Sequence, residues 1–219
     1  MPSLPKSSLR RNEIRKWFID RGTANPSPSV VKAALLATAD NPGPSGLIGN
    51  DHRPSANYGW GRVSLNRLTD PLARFYVTDN QGLVVATGQQ RSWTRTIGNP
   101  ATDIFLVLVW SDPSADVVTH SQAALKNNLS LGVDELGSTR FWRGNNFNEN
   151  VAANDNGYSY RFSAGQVPLA DGINNVEAIF IPANTFAAGQ QLLIKVTGEN
   201  VTTGTQKFAL YAYNVQLSQ

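Results

Sequence analysis

Apolar positions follow one rhythm before residue 71 and another after it. In SSLRRNEIRKWFIDRG, Ile14, Trp17 and Phe18 recur at i, i+3 and i+4, which is one face of a helix. Gly22 follows where a left-handed C-terminal cap belongs. A second helix is predicted to open with Ser27 as N-cap and Pro28 in the first helical position. Val31, Ala34, Leu35 and Thr38 form one stripe of it, and Val30, Ala33 and Ala37 the companion face. A helix apolar nearly all round expects burial.

DNPGPSGLIGNDHRPSAN, rich in Pro, Gly, Asn and Asp, is a connection. From Arg74 the period shortens to that of strands. RFYVT, LVVATG, SWTRTI, DIFLVLVW, NNLSLGV, TRFWRG, NNVEAIFI, QLLIKVTG and KFALYAYNV are β-branched or aromatic runs separated by Gly, Asn and Asp. In the last, Phe208, Leu210 and Ala212 alternate with Ala209, Tyr211 and Tyr213, which predicts one buried and one wetter face. The fold class expected is mainly β, a β-sandwich or jelly roll of galactose-binding-like or P-domain-like type, behind a short helical segment. The division expected is 1–70 helical and 71–219 β-sandwich.

Composition narrows the chemistry. With 219 residues a sizeable core is affordable. Lys and Arg number 19 against 16 Asp and Glu, and that small excess does not suggest a nucleic-acid partner. Lys6, Arg10, Arg11, Arg15, Lys16 and Arg21 crowd the first helix, where a solvated face is the ordinary explanation. No cysteine is present, so disulfides, zinc thiolates and thiol nucleophiles are excluded. The longest apolar run, IFLVLVW, is too short to span a bilayer, and no membrane partner is expected.

PSPSVVKAALLATAD, NYGWGRVSLNRL, VLVWSDP and DGINNVEAIFI, in that order, resemble the tail of a subtilisin-like serine protease carrying a C-terminal jelly-roll domain. The resemblance runs from about Glu13 to Val215, with Trp60 and Gly61 in the GWG turn and Arg62, Val63 and Leu65 after it. It implies a secreted parent whose targeting segment lies outside this chain. The Gly-Thr-Ser motif and the Asp and His segments of such proteases are missing here, and a triad needs all three groups. By this reading the chain is a non-catalytic accessory region that stabilises an upstream protease domain. The apolar second helix, deprived of the parallel sheet it would cover, is expected to seek a partner by self-association as a dimer or by repacking.

A stand-alone serine hydrolase is the alternative. Ser29 and Lys32 form a Ser-x-x-Lys, and His52 and His120 are the two histidines available as bases. For metals, the resemblance implies structural calcium, which wants oxygen ligands gathered on loops. Asp112, Asp171, Asn174, Asn175, Glu177, Asn128 and Asn145 are the candidates, with Asn146, Asn148, Glu149, Asp155 and Asn156 nearby. Where the family reads Asn-Asp-Leu-Asp this chain reads NNLSL, so Asn128 and Ser130 stand at two acidic positions. Turn formation explains the same Asn and Asp equally well. Carbohydrate is a further possible partner, through Trp93, Trp142, Phe141, Tyr158 and Tyr160.

Overall fold

The computed structural model describes residues 6–40, 53–54, 58–70, 75–114, 125–148 and 157–217, with the side chains of 6–11, 80–84 and 217 excluded. Among the described residues three helices, α1 (Lys6–Asp20), α2 (Pro28–Thr38) and α3 (Asn66–Thr69), precede nine strands. These are β1 (Phe75–Val85), β2 (Gln90–Ile97), β3 (Ile104–Trp110), β4 (Asn127–Glu135), β5 (Phe141–Arg143), β6 (Val176–Ile181), β7 (Gln191–Val201), β8 (Gln206–Tyr213) and β9 (Val215–Leu217). They form a four-stranded sheet ordered β1-β8-β3-β6 and a five-stranded sheet ordered β5-β4-β7-β2-β9. Every pairing between them is antiparallel. The expected β-sandwich is what the chain forms.

Two strand boundaries differ from the sequence reading. RFYVT and LVVATG belong to one strand, β1, whose pairing with β8 is irregular between Asn80 and Val84. KFALYAYNV is cut in two at Asn214, whose φ of 63° turns the chain from one sheet into the other. Asn tolerates that left-handed conformation because its short side chain bonds locally. Here its amide donates to Asn99 O and Thr102 O and its carbonyl oxygen accepts from Asn99 N.

Side chains from the two inner faces interlock. Ile104, Leu106, Leu108 and Trp110 of β3, Ile179 and Ile181 of β6, and Phe208 and Leu210 of β8 meet Leu129, Leu131, Leu192, Ile194 and Val196. The other side of the four-stranded sheet is covered as well. Phe105, Val107, Val109, Val176, Ala178, Phe180, Ala209 and Tyr211 share a second cluster with Ile14, Trp17 and Phe18 of α1 and Val30, Val31, Ala33, Ala34 and Ala37 of α2. The expectation of a wetter face on KFALYAYNV is therefore corrected, since Ala209, Tyr211 and Tyr213 lie under the helices.

The helix signals hold in detail. Ser27 Oγ accepts from Val30 N at 3.1 Å, and Asp79 of β1 takes both the Ser27 amide and its hydroxyl. Gly22, at φ 90°, ends α1, with Thr23 N donating to Phe18 O. Helix α2 is buried as expected, against this chain's own sheet. Of the two expected ways of covering it, this is the repacking of the helical arm.

The segment after α2 is stapled back onto it. Asp40 and Arg62 exchange backbone bonds of 2.8 and 2.9 Å, and Arg67 donates to Thr38 O, Ala39 O and Asp40 Oδ1. Gly61, at φ 100°, lies so close that a Cβ would stand 2.5 Å from Asp40 O, so only glycine fits the GWG turn. Trp60 meets Phe147 and Phe180 edge-on at 6.5 and 6.4 Å.

Candidate cation pocket

Among the described residues no helix lies on the outer face of the five-stranded sheet, and strand alternation decides what points from it. Leu129, Leu131 and Val133 of β4 face the core, so Asn128, Ser130, Gly132 and Asp134 face out. From β7, Lys195, Thr197 and Glu199 share that side, because Ile194 and Val196 point inward. All of these outward residues but Asp134, with the segment Pro168–Asp171 and Glu177, line a cavity of about 330 Å³.

A bulge positions Glu199. The β4–β7 register passes from Asn128 opposite Asn200 to Leu129 opposite Gly198, leaving Glu199 as the extra residue. Its carboxylate accepts the Ser130 hydroxyl. Gly198 permits the bend, since a Cβ there would stand 2.4 Å from Ala86 O. Sequence reading missed Glu199, although a glycine inside QLLIKVTG is itself a bulge signal.

Glu177 is 2% exposed and reaches from β6 to the edge of β4, where one oxygen accepts from Leu131 N at 2.5 Å. Gly144 makes room for it, because a Cβ there would lie 2.2 Å from Glu177 Oε2. Among the described residues no donor reaches the other carboxylate oxygen. Burial pushes its pKa up to about 8, and Asp171 and Glu199 push the same way against the Leu131 amide. Beside it the carbonyl oxygen of Asn128 is buried with no donor among the described residues.

Asp171 is differently placed. Burial works against its charge, but N–H groups of Asn174, Ile173 and Asn145 outweigh that and hold its pKa below the ordinary carboxylate value. At the far end Arg143 and Lys195 both bind Asp134, so those cations are spoken for. One end of the pocket thus holds the Asn128 oxygen and the second Glu177 oxygen, neither with a donor among the described residues, beside a Glu199 carboxylate that accepts only the Ser130 hydroxyl.

Of the residues singled out for calcium, Asn128, Asp171 and Glu177 meet in this cavity. Asn145 and Asn174 brace Asp171 from outside, through amide bonds of 2.6 and 2.8 Å. Asn175 donates to Trp110 O, and Asp112 caps Lys126 N and Asn127 N, so both serve the backbone elsewhere. Asn146 clamps Leu169, and Asn148 exchanges backbone bonds with Tyr158 and Gly157. Glu149, Asp155 and Asn156 lie outside the described residues, as do His52 and His120. Among the described residues no three carboxylates or imidazoles stand together as a ready metal cluster.

Ser29 Oγ lies 3.2 Å from Ser111 Oγ. Lys32 is exposed and lines the groove between α1 and α2 with Arg15. Partial burial lowers its pKa, the direction a base needs, but among the described residues no hydrogen bond joins it to Ser29. Of the aromatic candidates, Trp142 is buried, and Trp93 packs between Tyr76 and Phe208. Tyr158 donates to Asp103 at 3.0 Å, with its pKa pushed up to about 12, mainly by burial. Tyr160 stands exposed, edge-on to Phe162, which stacks on Phe141.

Fold and pocket together define an antiparallel β-sandwich covered by helices on one sheet and carrying an acceptor-lined cavity on the other. No family model matches the chain, and no curated protein matches it. Seven solved chains match. One of them, the P-domain of Penaeus vannamei nodavirus, is 10% identical at a TM-score of 0.21, over 67% of this chain and 96% of that one. So low a likeness carries no argument, and the fold rests on the strand pairings above. No helix among the described residues is long and apolar enough to cross a membrane.

Proposed function

We propose that the chain is a non-catalytic accessory region, the closing segment of a secreted subtilisin-like protease followed by its β-sandwich, and that the pocket takes a calcium ion. The protease relationship rests on the sequence motifs alone. Support for an accessory role comes from the packing, since the helices after the missing nucleophile find cover on the sandwich and need no catalytic body to bury them.

The observation that carries the cation is Glu177, a buried carboxylate with a vacant acceptor beside the undonated Asn128 oxygen. Both are hard oxygen donors of the kind calcium selects, and Glu199 adds a second carboxylate. The fit is partial. Asp171 is already saturated by N–H groups, and Asn128 and Ser130 bring no charge, so affinity on the order of 10⁻⁴–10⁻³ M is expected. When bound, the ion would supply the positive charge this end of the pocket lacks.

Melting in millimolar calcium against chelator, with Glu177→Gln in parallel, tests the reading. The wild type should gain a few degrees and the variant none. A fluorophosphonate probe and a p-nitrophenyl ester run beside it should give neither label nor turnover. Stoichiometric labelling of one serine, lost on its replacement by alanine, would overturn the non-catalytic reading in favour of a hydrolase.

A further inference from the structure

The most exposed large apolar side chains described are Val167, Leu169 and Ile173, at 88%, 84% and 71%. They fall within seven residues of one connection, on the rim of the pocket, to whose lining Leu169 belongs. Three aliphatic groups displayed this fully on one short segment are not packing residues, and exposed apolar side chains gathered in this way are the kind of surface that serves an interaction.

The backbone that displays them is held. Asn146 binds Leu169 at both its N–H and its carbonyl, at 2.9 and 3.0 Å. Asp171 takes Ile173 N at 2.9 Å, and Ser163 N donates to Gln166 Oε1. A ridge fixed before a partner arrives has already lost the freedom that docking would otherwise cost.

Beside the ridge stand the undonated Asn128 oxygen, the Glu177 oxygen that Leu131 N does not reach, and the Glu199 carboxylate with its one hydroxyl donor, while the neighbouring cations are held by Asp134. We propose that ridge and pocket form one docking surface for a partner polypeptide that presents a lysine or arginine flanked by aliphatic residues. The basic head enters the cavity, its methylene stem lies on Leu169, and the flanking chains cover Val167 and Ile173. The cavity is far larger than a bare ion needs, and its acceptors repel the anionic headgroups of a lipid surface. The proposal rests on the reading that the Glu177 end of this pocket lacks a positive charge of its own, Arg143 and Lys195 being held by Asp134 at the other, and it makes calcium and the basic residue competitors.

The test is fluorescence anisotropy of a labelled Leu-Arg-Leu-Lys-Val peptide on the full chain, with calcium binding followed separately by calorimetry. Micromolar binding is expected, weakened at least tenfold by Leu169→Ser, by Glu177→Gln and by calcium, and unchanged by Lys16→Ala on α1. Leu169 is exposed, so its variant keeps the fold and reports the ridge alone. Calcium binding should survive Leu169→Ser and fall in Glu177→Gln. Peptide affinity indifferent to Leu169→Ser, or absent at about 1 mM, overturns the docking surface. If calcium binds and the peptide does not, only docking fails; if neither binds, the cation reading falls with it.

Discussion

The two sheets use the same alternation to opposite ends. In the four-stranded sheet both faces are buried, one against the partner sheet and one against α1 and α2, so β3 and β6 are buried at every position. In the five-stranded sheet only the inner face is dry. Its outer positions Ser130, Gly132, Lys195 and Thr197 are small or polar and leave room for a cavity. One sheet is scaffold, and the other is free to carry a site because no described helix covers its outer face.

The sharpest way to break that contrast is to place the same charge on each. Val107→Asp, 0% exposed beneath the helices, buries an unpaired carboxylate. It is expected to cost more than about 4 kcal/mol or prevent folding. Ser92→Asp, at an exposed position of β2, should stay within about 0.5 kcal/mol. Urea unfolding of the two measures both, and a similar cost would dissolve the distinction. Trp17→Ala comes next, removing a ring that packs on Phe18 and Phe75 at 5.0 Å. A loss of about 3–5 kcal/mol is expected, and a value near zero would show that the helical cover is not part of the cooperative unit.

The pocket sheet should reveal itself by pH. The Glu177 carboxyl rises from 4.5 to about 8 on folding. Below pH 4.5 it is protonated in both states and its contribution is fully present. Between 4.5 and about 8 the unfolded chain loses the proton and the folded chain keeps it, so stability falls by a few kcal/mol and then levels. Denaturation midpoints of wild type and Glu177→Gln, both without divalent cations, should converge at acid pH and separate toward pH 8, with the variant the more stable there. Parallel curves would mean that Glu177 is not held neutral.

Much of the scaffold was legible because its signals are local. Ser27, Pro28 and Gly22 act on backbone groups within four residues, and IFLVLVW has only one way to hide. What failed was anything that depends on a distant cover. Alternation in KFALYAYNV predicted a wet face, since nothing inside a strand says that helices nearly two hundred residues earlier return to lie on it. The site was half legible for the same reason. Asn128, Asp171 and Glu177 were singled out together and do meet, whereas Asp112 and Asn175, of identical chemistry, are consumed by backbone groups. Glu199 enters through a bulge that the neighbouring Gly198 signals in the sequence but that the glutamate itself does not.

Two gentler variants sharpen the pocket itself. Gly144→Ala pushes a methyl toward Glu177 Oε2, 2.2 Å away in the present geometry. It should cost about 1–3 kcal/mol through displacement of that carboxylate, with calcium response reduced and the helix–sheet cluster untouched. Ser130→Asp is the smallest and the most informative. The hydroxyl now donates to Glu199, and a carboxylate there removes the donor and sets two negative groups side by side on neighbouring strands. Without calcium the expected cost is about 0.5–1 kcal/mol. With calcium the sign reverses, because each added carboxylate raises the charge on which affinity depends. Calorimetry should therefore show tighter binding in the variant than in the wild type. If the added charge destabilises the fold and calcium does not repay it, the acceptors of this pocket answer to some other donor, and a basic side chain is the one whose binding the same substitution should strengthen.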